Sequence, residues 1–319
     1  MLPYLSLKSW LLERYGQPLH RVALDAGSTC PNRDGTKGYG GCVYCDVEGS
    51  GTGALRGGQE IEAQLDAGLA RVGRRDPDFG VIAYFQSFSN TYVAPERLDE
   101  VLELLERRLD RDPIRVVALS TRPDTLPEWA LDRLARLAER VEVWLELGLE
   151  AANDQVLETI RRFHTLAEFE DAVARAHARG LLVVGHAILG LPGDGREGAI
   201  ETAKALARTG VAGVKVHHLM VLRRTQLERW WRHPESAPAP VELLEPDRYV
   251  SWLADFLEHL RPTQVLHRLT GDAPPEHQLA PCWSIHKSEI RSRLIAEFAR
   301  RETRQGSAWV PAPRTHANS

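Results

Sequence analysis

The chain has 319 residues, 43% hydrophobic and 26% charged, with a formal net charge of −4. That length suits one large α/β domain or two small ones, and the composition is that of a globular protein able to bury a sizeable core. No stretch approaches the roughly 20 apolar residues of a membrane span. The apolar start is broken by Lys8, Glu13 and Arg14 and so does not read as a signal peptide, and the overall charge does not demand nucleic acid. The expected location is the cytoplasm, where thiols stay reduced.

In chain order, an N-terminal amphipathic helix precedes HRVALDAG, a short strand that delivers a glycine-rich, cysteine-bearing loop. Residues 59–73 read as helix. GVIAYFQ (80–86) is an apolar β-rich run ending in Ser87, Ser89, Asn90 and Thr91. A helix over 95–110 has Pro95 in its first turn and the periodicity of Leu98, Val101, Leu102, Leu105 and Leu109. The alternation continues with strand 115–120, helix 127–139, strand 141–149, helices near 153–162 and 166–179, strand 181–189, helix 196–209 and strand 211–219.

Six such units, strand apolar and helix amphipathic, predict parallel strands with right-handed crossovers. Functional groups then gather on loops at the strand C-termini. Every strand here ends in polar or glycine-rich residues. After residue 220 the pattern changes to an Arg/Trp-rich segment, a Pro-rich linker (234–246), a helix, a short strand TQVLHRL and a final basic helix, with a frayed C-terminus. The expected division is a core over 1–222 and an extension over 223–319 packed on its substrate side.

Three of the four cysteines, Cys30, Cys42 and Cys45, fall within one loop. The pair Cys42-Val43-Tyr44-Cys45 turns two thiols to one centre, and Cys30 lies twelve positions upstream across Gly35, Gly38, Gly40 and Gly41. Three thiolates would leave one iron of a [4Fe–4S] cluster open to a substrate or cofactor. A structural zinc site is the alternative, with Cys282 or a histidine as fourth ligand. A disulfide would leave one thiol over and has no export signal to support it.

CPNRDGTKGYGGCVYC resembles the cluster loop of radical S-adenosylmethionine (radical SAM) enzymes. More narrowly it resembles the YhcC/YtqA-like family, in the Elongator-subunit- and tRNA methylthiotransferase-like branch, which uses this long first spacing in place of C-x3-C-x2-C. YFQSFSNTYVAP, STRPDTLP, ELGLEAANDQVLETIRRFHT, GLPGD, VKVHHLMVL and LHRLTGDAPPEHQLAPCWSIHKSEIRSRLIAEFARRETRQG agree in order, so the resemblance spans about residues 4–306. It implies an open (β/α)6 partial TIM barrel with a mainly helical C-terminal extension. It also implies a [4Fe–4S] cluster on Cys30, Cys42 and Cys45, SAM on the open iron, and reductive cleavage of SAM to a 5′-deoxyadenosyl radical fed by an electron donor such as flavodoxin or ferredoxin.

The resemblance extends to single residues. Tyr44 falls on the adenine side. Gln86 and Ser87 take the place that contacts the methionine amino group, and Ser120 and Thr121 the place that contacts the ribose. Glu150 sits where related enzymes carry a ribose-binding glutamine. Arg162 matches the arginine that pairs with the SAM carboxylate, although adjacent Arg161 leaves the register open by one and Phe163 replaces a usual glycine. The loop holding Gly190 and Pro192 approaches the adenine.

For the substrate, strand alternation puts Lys215 and His217 on one side and His218 on the other. Cys282 reads first as a buried free cysteine, with hydrogen-atom donor or second-site ligand as the alternative; four cysteines exclude a second three-cysteine cluster. Arg223, Arg224, Arg229 and Arg232 interleave with Trp230 and Trp231, and the last helix carries Arg300 and Arg301. Arginines among aromatics suit RNA, so tRNA base modification is the expected activity, with solvated helix faces as the plain reading. A small metabolite or protein substrate is the alternative within radical chemistry. A zinc-stabilised RNA-binding module is the alternative outside it.

Overall fold

Strands that are apolar along their whole length need cover on both faces, and the helices between them supply it. The computed structural model describes residues 2–46, 60–283 and 286–311; the expected frayed terminus falls on 312–319, outside the described residues. The elements run α1 (Leu7–Tyr15), β1 (Leu19–Leu24), α2 (Ile61–Gly73), β2 (Gly80–Phe85), α3 (Pro95–Arg108), β3 (Ile114–Thr121), α4 (Glu128–Ala138) and β4 (Glu142–Glu150). They continue with α5 (Asp154–Thr159), α6 (Leu166–His177), β5 (Leu182–Leu189), α7 (Gly195–Thr209), β6 (Gly213–His218) and β7 (Val221–Leu222). The extension holds α8 (Gln226–Arg232), α9 (Pro246–His259), β8 (Val265–Arg268), β9 (Gln278–Ala280) and α10 (Lys287–Arg301).

Strands β1 to β6 and then β8 form one parallel sheet in that order, an open partial barrel of the expected kind. The six expected strands thus gain a seventh, from TQVLHRL in the extension. The seam is tied further by Leu5, whose carbonyl accepts from Leu266 N at 2.8 Å.

Alternation along the strands separates two cores. Outward residues such as Val22, Leu24, Ala83, Phe85, Leu119, Leu145, Leu147 and Val216 pack against the surrounding helices. Inward residues Ile82, Val116, Ala118, Trp144 and Val184 meet Leu11 of α1. Helix α1 starts where Ser6 Oγ accepts from Ser9 N (3.2 Å) and stops at Gly16 in the left-handed region. Its Trp10 ring meets Trp144 at 6.0 Å, so the helix seals the end of the barrel where the strands begin.

Above that apolar plug the inward positions turn polar, and the other end opens into a cavity of about 400 Å³. The antiparallel pair β7–β9 draws the 272–277 loop over it, so the extension supplies one wall.

Candidate active site at the barrel mouth

Strand β1 releases the chain into the cysteine loop, which is fastened to its neighbours by its backbone and by Asn32. Val43 N donates to Ile160 O (3.1 Å), Leu227 N to Val43 O (2.8 Å), and Asn32 Nδ2 to Arg161 O (2.7 Å). Lys37 Nζ bonds Asp124 (2.6 Å) and Phe163 O (3.1 Å). A Cβ on Gly38 would come within 2.8 Å of the Phe163 ring, so glycine is needed for this approach. Phe163 itself has φ 53. It takes up the left-handed conformation natural to the glycine it replaces, at the strain a bulky residue carries there.

Cys30, Cys42 and Cys45 all line the cavity. Two of the sulfurs have N–H groups beside them: Asn32 Nδ2 lies 3.4 Å and Arg162 Nη1 3.9 Å from Cys42 Sγ, and Arg33 Nη2 lies 3.1 Å from Cys45 Sγ. Burial, against the pull of Arg33, pushes the Cys45 thiol up to about 12. Among the described residues no group of three or more His, Cys, Asp or Glu closes tightly enough to hold one metal ion. A tetrahedral zinc with bonds of about 2.3 Å needs sulfurs about 3.8 Å apart.

Facing the thiols stands Arg162, buried, while Arg161 is exposed. Arg162 Nη2 bonds Gly148 O at 2.9 Å and lies 3.4 Å from Glu150. A Cβ on Gly148 would collide with that guanidinium, so the glycine in ELGLE clears its path. Burial works against the Arg162 charge, yet Tyr44, Glu150 and Cys42 around it hold the guanidinium firmly protonated. Its Nε is buried with no hydrogen-bond partner. Tyr44, between the paired cysteines, lines the cavity, and burial together with Glu150 and Cys42 pushes its hydroxyl well up.

Gln86, Ser120 and Thr121 also line the cavity. Thr121 Oγ1 is engaged by Ser89 (2.8 Å) and Thr91 (2.5 Å), and Asn90 Nδ2 bonds Ser120 O at 2.8 Å. The polar string after β2 is therefore mortar between two strand ends. Ser87 is fully buried behind Gln86, its Oγ without a partner.

Deeper in the barrel lies a polar floor. Glu146 Oε2 accepts from Tyr84 (3.0 Å), Ser120 (2.9 Å), His186 (3.1 Å) and Lys215. Burial would raise the Glu146 carboxyl, but Lys215 and His186 hold it well below its usual range; burial lowers the Lys215 ammonium to about 8. Lys215 and His217 line the cavity, and so does His218, which alternation had put on the other side. The His218 ring is stacked on Trp283 at 4.2 Å and bonded to Thr270 at 2.9 Å.

The radical SAM superfamily profile matches residues 29–206, and its C-terminal domain profile matches 211–300. The chain belongs to the radical SAM superfamily. It is 36% identical over 303 residues to protein YtqA of Bacillus subtilis, covering 95% of this chain and 92% of that one. It is 31% identical over 308 residues to protein YhcC of Escherichia coli, covering 94% and 95%. Over 127 residues, 39% of this chain and 27% of the other, it is 26% identical to a tRNA uridine(34) acetyltransferase of Dehalococcoides mccartyi. Among solved structures it is similar to the archaeal Methanocaldococcus infernus Elp3, with a TM-score of 0.68 and 14% identity over 90% of this chain and 64% of that one, a likeness of fold.

Superfamily membership implies SAM and a [4Fe–4S] cluster, and the donor set fits both. Three cavity-lining thiols without a single-ion geometry suit a wider cluster, and N–H donors around the sulfurs are the support such clusters use. The buried Arg162 Nε, without a hydrogen-bond partner, is a donor of the kind that suits an anionic oxygen.

Several expectations change. Gly190 and Pro192 do not line the cavity; Gly190 faces Leu244, whose Cδ1 a Cβ would meet at 3.4 Å. In the same loop Asp194 is buried with neither carboxylate oxygen hydrogen-bonded, and burial pushes it up to about 7. Cys282 is exposed rather than buried, its Sγ 3.2 Å from Leu279 O. Trp230 is buried in a core cluster, which leaves Trp231 as the exposed aromatic of the pair.

Arg301 is an internal strut. It bonds Glu297 (2.7 Å), Asp255 (2.7 Å) and Ser251 (3.0 Å), while the exposed Arg300 pairs with Glu297 at 2.8 Å. Reasoning from sequence missed Tyr84, Glu146, His186 and Arg268. The signal was present in β4 and β5, where Glu146 falls midway along β4, between glutamates at its two ends, and His186 interrupts the apolar β5.

Proposed function

We propose that this radical SAM enzyme holds a [4Fe–4S] cluster on Cys30, Cys42 and Cys45, cleaves SAM reductively, and acts in tRNA base modification. The observation that carries the first part is the convergence of three thiols and the half-satisfied Arg162 guanidinium on one cavity. When bound, the cluster and SAM supply a 5′-deoxyadenosyl radical able to take a hydrogen atom from a substrate. The chain's own groups bind and orient. Arg162 meets the SAM carboxylate, and Glu150 and Tyr44 flank the nucleoside portion. Gln86 offers its amide at the end of β2. Ser120 and Thr121 are held by hydrogen bonds to Glu146 and Ser89, so the cavity edge they form is rigid. The 272–277 loop and the cysteine loop shield the site from water. Flavodoxin or ferredoxin is the class of electron donor this chemistry calls for.

For tRNA, support comes from the partial likeness to the tRNA uridine(34) acetyltransferase and from the segment after β7. Arg223, Arg224, Arg229, Arg232 and Trp231 are exposed there, and α8 packs on the cysteine loop through Leu227 and Val43. Phosphate contacts by those arginines would release counterions, so affinity must fall steeply with salt.

Two measurements test the proposal. Anaerobic reconstitution followed by iron, sulfide and zinc analysis should give a brown protein that forms 5′-deoxyadenosine from SAM; one zinc per chain and no cleavage would establish the zinc module instead. Gel-shift titration of tRNA at two salt concentrations, with Arg224→Glu/Arg229→Glu beside the parent, should show salt-sensitive binding that the double variant loses. Absent or salt-insensitive binding would turn the substrate to a small molecule or protein.

A further inference from the structure

We infer that the floor of the cavity is an oxyanion recess centred on Arg268, which holds a phosphate or carboxylate group of the substrate. The inference rests on the reading of this cavity as the place where substrate meets the SAM-derived radical.

Arg268 ends β8, the strand contributed by the extension, and lines the cavity. The pairing of β6 with β8 slips between Val214 and Lys215: Val214 faces Leu266, but Lys215 faces Arg268, leaving His267 as the extra residue. Irregularities of this kind re-aim side chains and recur beside active sites. Here His267 turns into the barrel against Trp144 (rings 4.8 Å apart), and its neighbour Arg268 also reaches the cavity. On a regular strand one of the two would face the helices.

Charge bookkeeping at the floor leaves a surplus of positive groups. Glu146 is the carboxylate there, and its Oε2 already takes Lys215, Tyr84, Ser120 and His186. Asp272, at the rim, is paired with Lys287. Among the described residues the Arg268 side chain makes no hydrogen bond or ion pair, and the imidazole of the cavity-lining His217 makes no hydrogen bond. His267 Nδ1 is buried with no partner. A half-buried guanidinium without a carboxylate, beside a second cation and an imidazole, is a planar fork of donors suited to a carboxylate or phosphate. Arg162 stands at the mouth with Glu150 and the thiols, so the two arginines serve different ligands.

The test uses the full chain, anaerobically reconstituted, at constant ionic strength in chloride. Inorganic phosphate and succinate are titrated calorimetrically into the parent, Arg268→Gln, Arg268→Lys and His217→Gln, and SAM is titrated into each. At least one anion should bind the parent. Arg268→Gln should weaken that anion about tenfold or more, Arg268→Lys less, and SAM affinity should stay within about twofold. Binding of phosphate alone assigns a phosphate-bearing substrate; binding of succinate alone assigns a carboxylic acid.

The recess is overturned if neither anion binds the parent, if Arg268→Gln binds as the parent does, or if SAM affinity falls by the same factor as the anion's. Should Arg268→Gln fail to fold, Arg268→Lys and His217→Gln decide, and parent-like affinity in both overturns it. A parent that binds phosphate yet never cleaves SAM refutes the proposed function and leaves the recess; a parent that cleaves SAM and binds neither anion does the reverse.

Discussion

Arg162 and Arg301 are drawn into the protein to similar depths, with side chains 10% and 14% exposed, each beside carboxylates. Arg301 spends every nitrogen on the protein: Nε on Glu297, Nη1 on Asp255 and Glu258, Nη2 on Ser251. Arg162 does not. Its Nη2 is used by Gly148, its Nη1 reaches only the Cys42 sulfur, and its Nε has nothing. Leaving a buried donor unsatisfied costs about 1–3 kcal/mol, so a fold tolerates one where a ligand repays it. In sequence both arginines looked like ligand contacts. The difference lies in how much of each guanidinium the protein has already consumed.

The sharpest break falls on the thiols that Arg162 faces. Cys42→Ala should lose its iron and form no 5′-deoxyadenosine, whereas exposed Cys282→Ala should keep both; SAM cleavage by Cys42→Ala would remove the cluster from this loop. Next, Glu150→Ala should bind SAM about ten- to a hundredfold more weakly, the loss of about 1.5–3 kcal/mol expected for a charged hydrogen bond, with iron content unchanged. Calorimetry showing parent-like affinity would take Glu150 out of the site.

On the other side of the comparison, Arg301→Ala should cost about 2 kcal/mol in denaturant unfolding, since Asp255 and Glu258 are left without their shared cation. SAM affinity should not move, and a variant that unfolds as the parent does would contradict the strut. A buried carboxylate near the site gives an acid signature. Burial would raise Asp124, but Arg122 and Lys37 hold it down at about 2. Its contribution is therefore complete above the unfolded value near 4 and lost as pH falls toward 2, a change of about 2 kcal/mol that Asp124→Asn should erase from the pH–stability curve. The smallest effect belongs to Arg300, which is 70% exposed on α10: charge reversal should leave melting temperature and SAM affinity within experimental scatter.

Sequence by itself determined the barrel and the place of the thiols. Apolar strands and amphipathic helices in strict alternation leave few ways to bury both faces of a sheet, and two cysteines in a turn with a third across glycines converge wherever the strand delivers them. Alternation also placed Lys215 and His217 together, because period two is a property of the strand itself. What tertiary structure decided was every question of partnership. Whether Arg301 faces solvent or Asp255 depends on α9 packing on α10, from segments 46 residues apart. Whether Ser89 and Thr91 meet a ligand or Thr121 depends on how two strand ends meet. That Arg268 reaches the cavity follows from a one-residue slip between β6 and β8, and such a slip is set by the packing of the whole sheet edge, which no local pattern encodes.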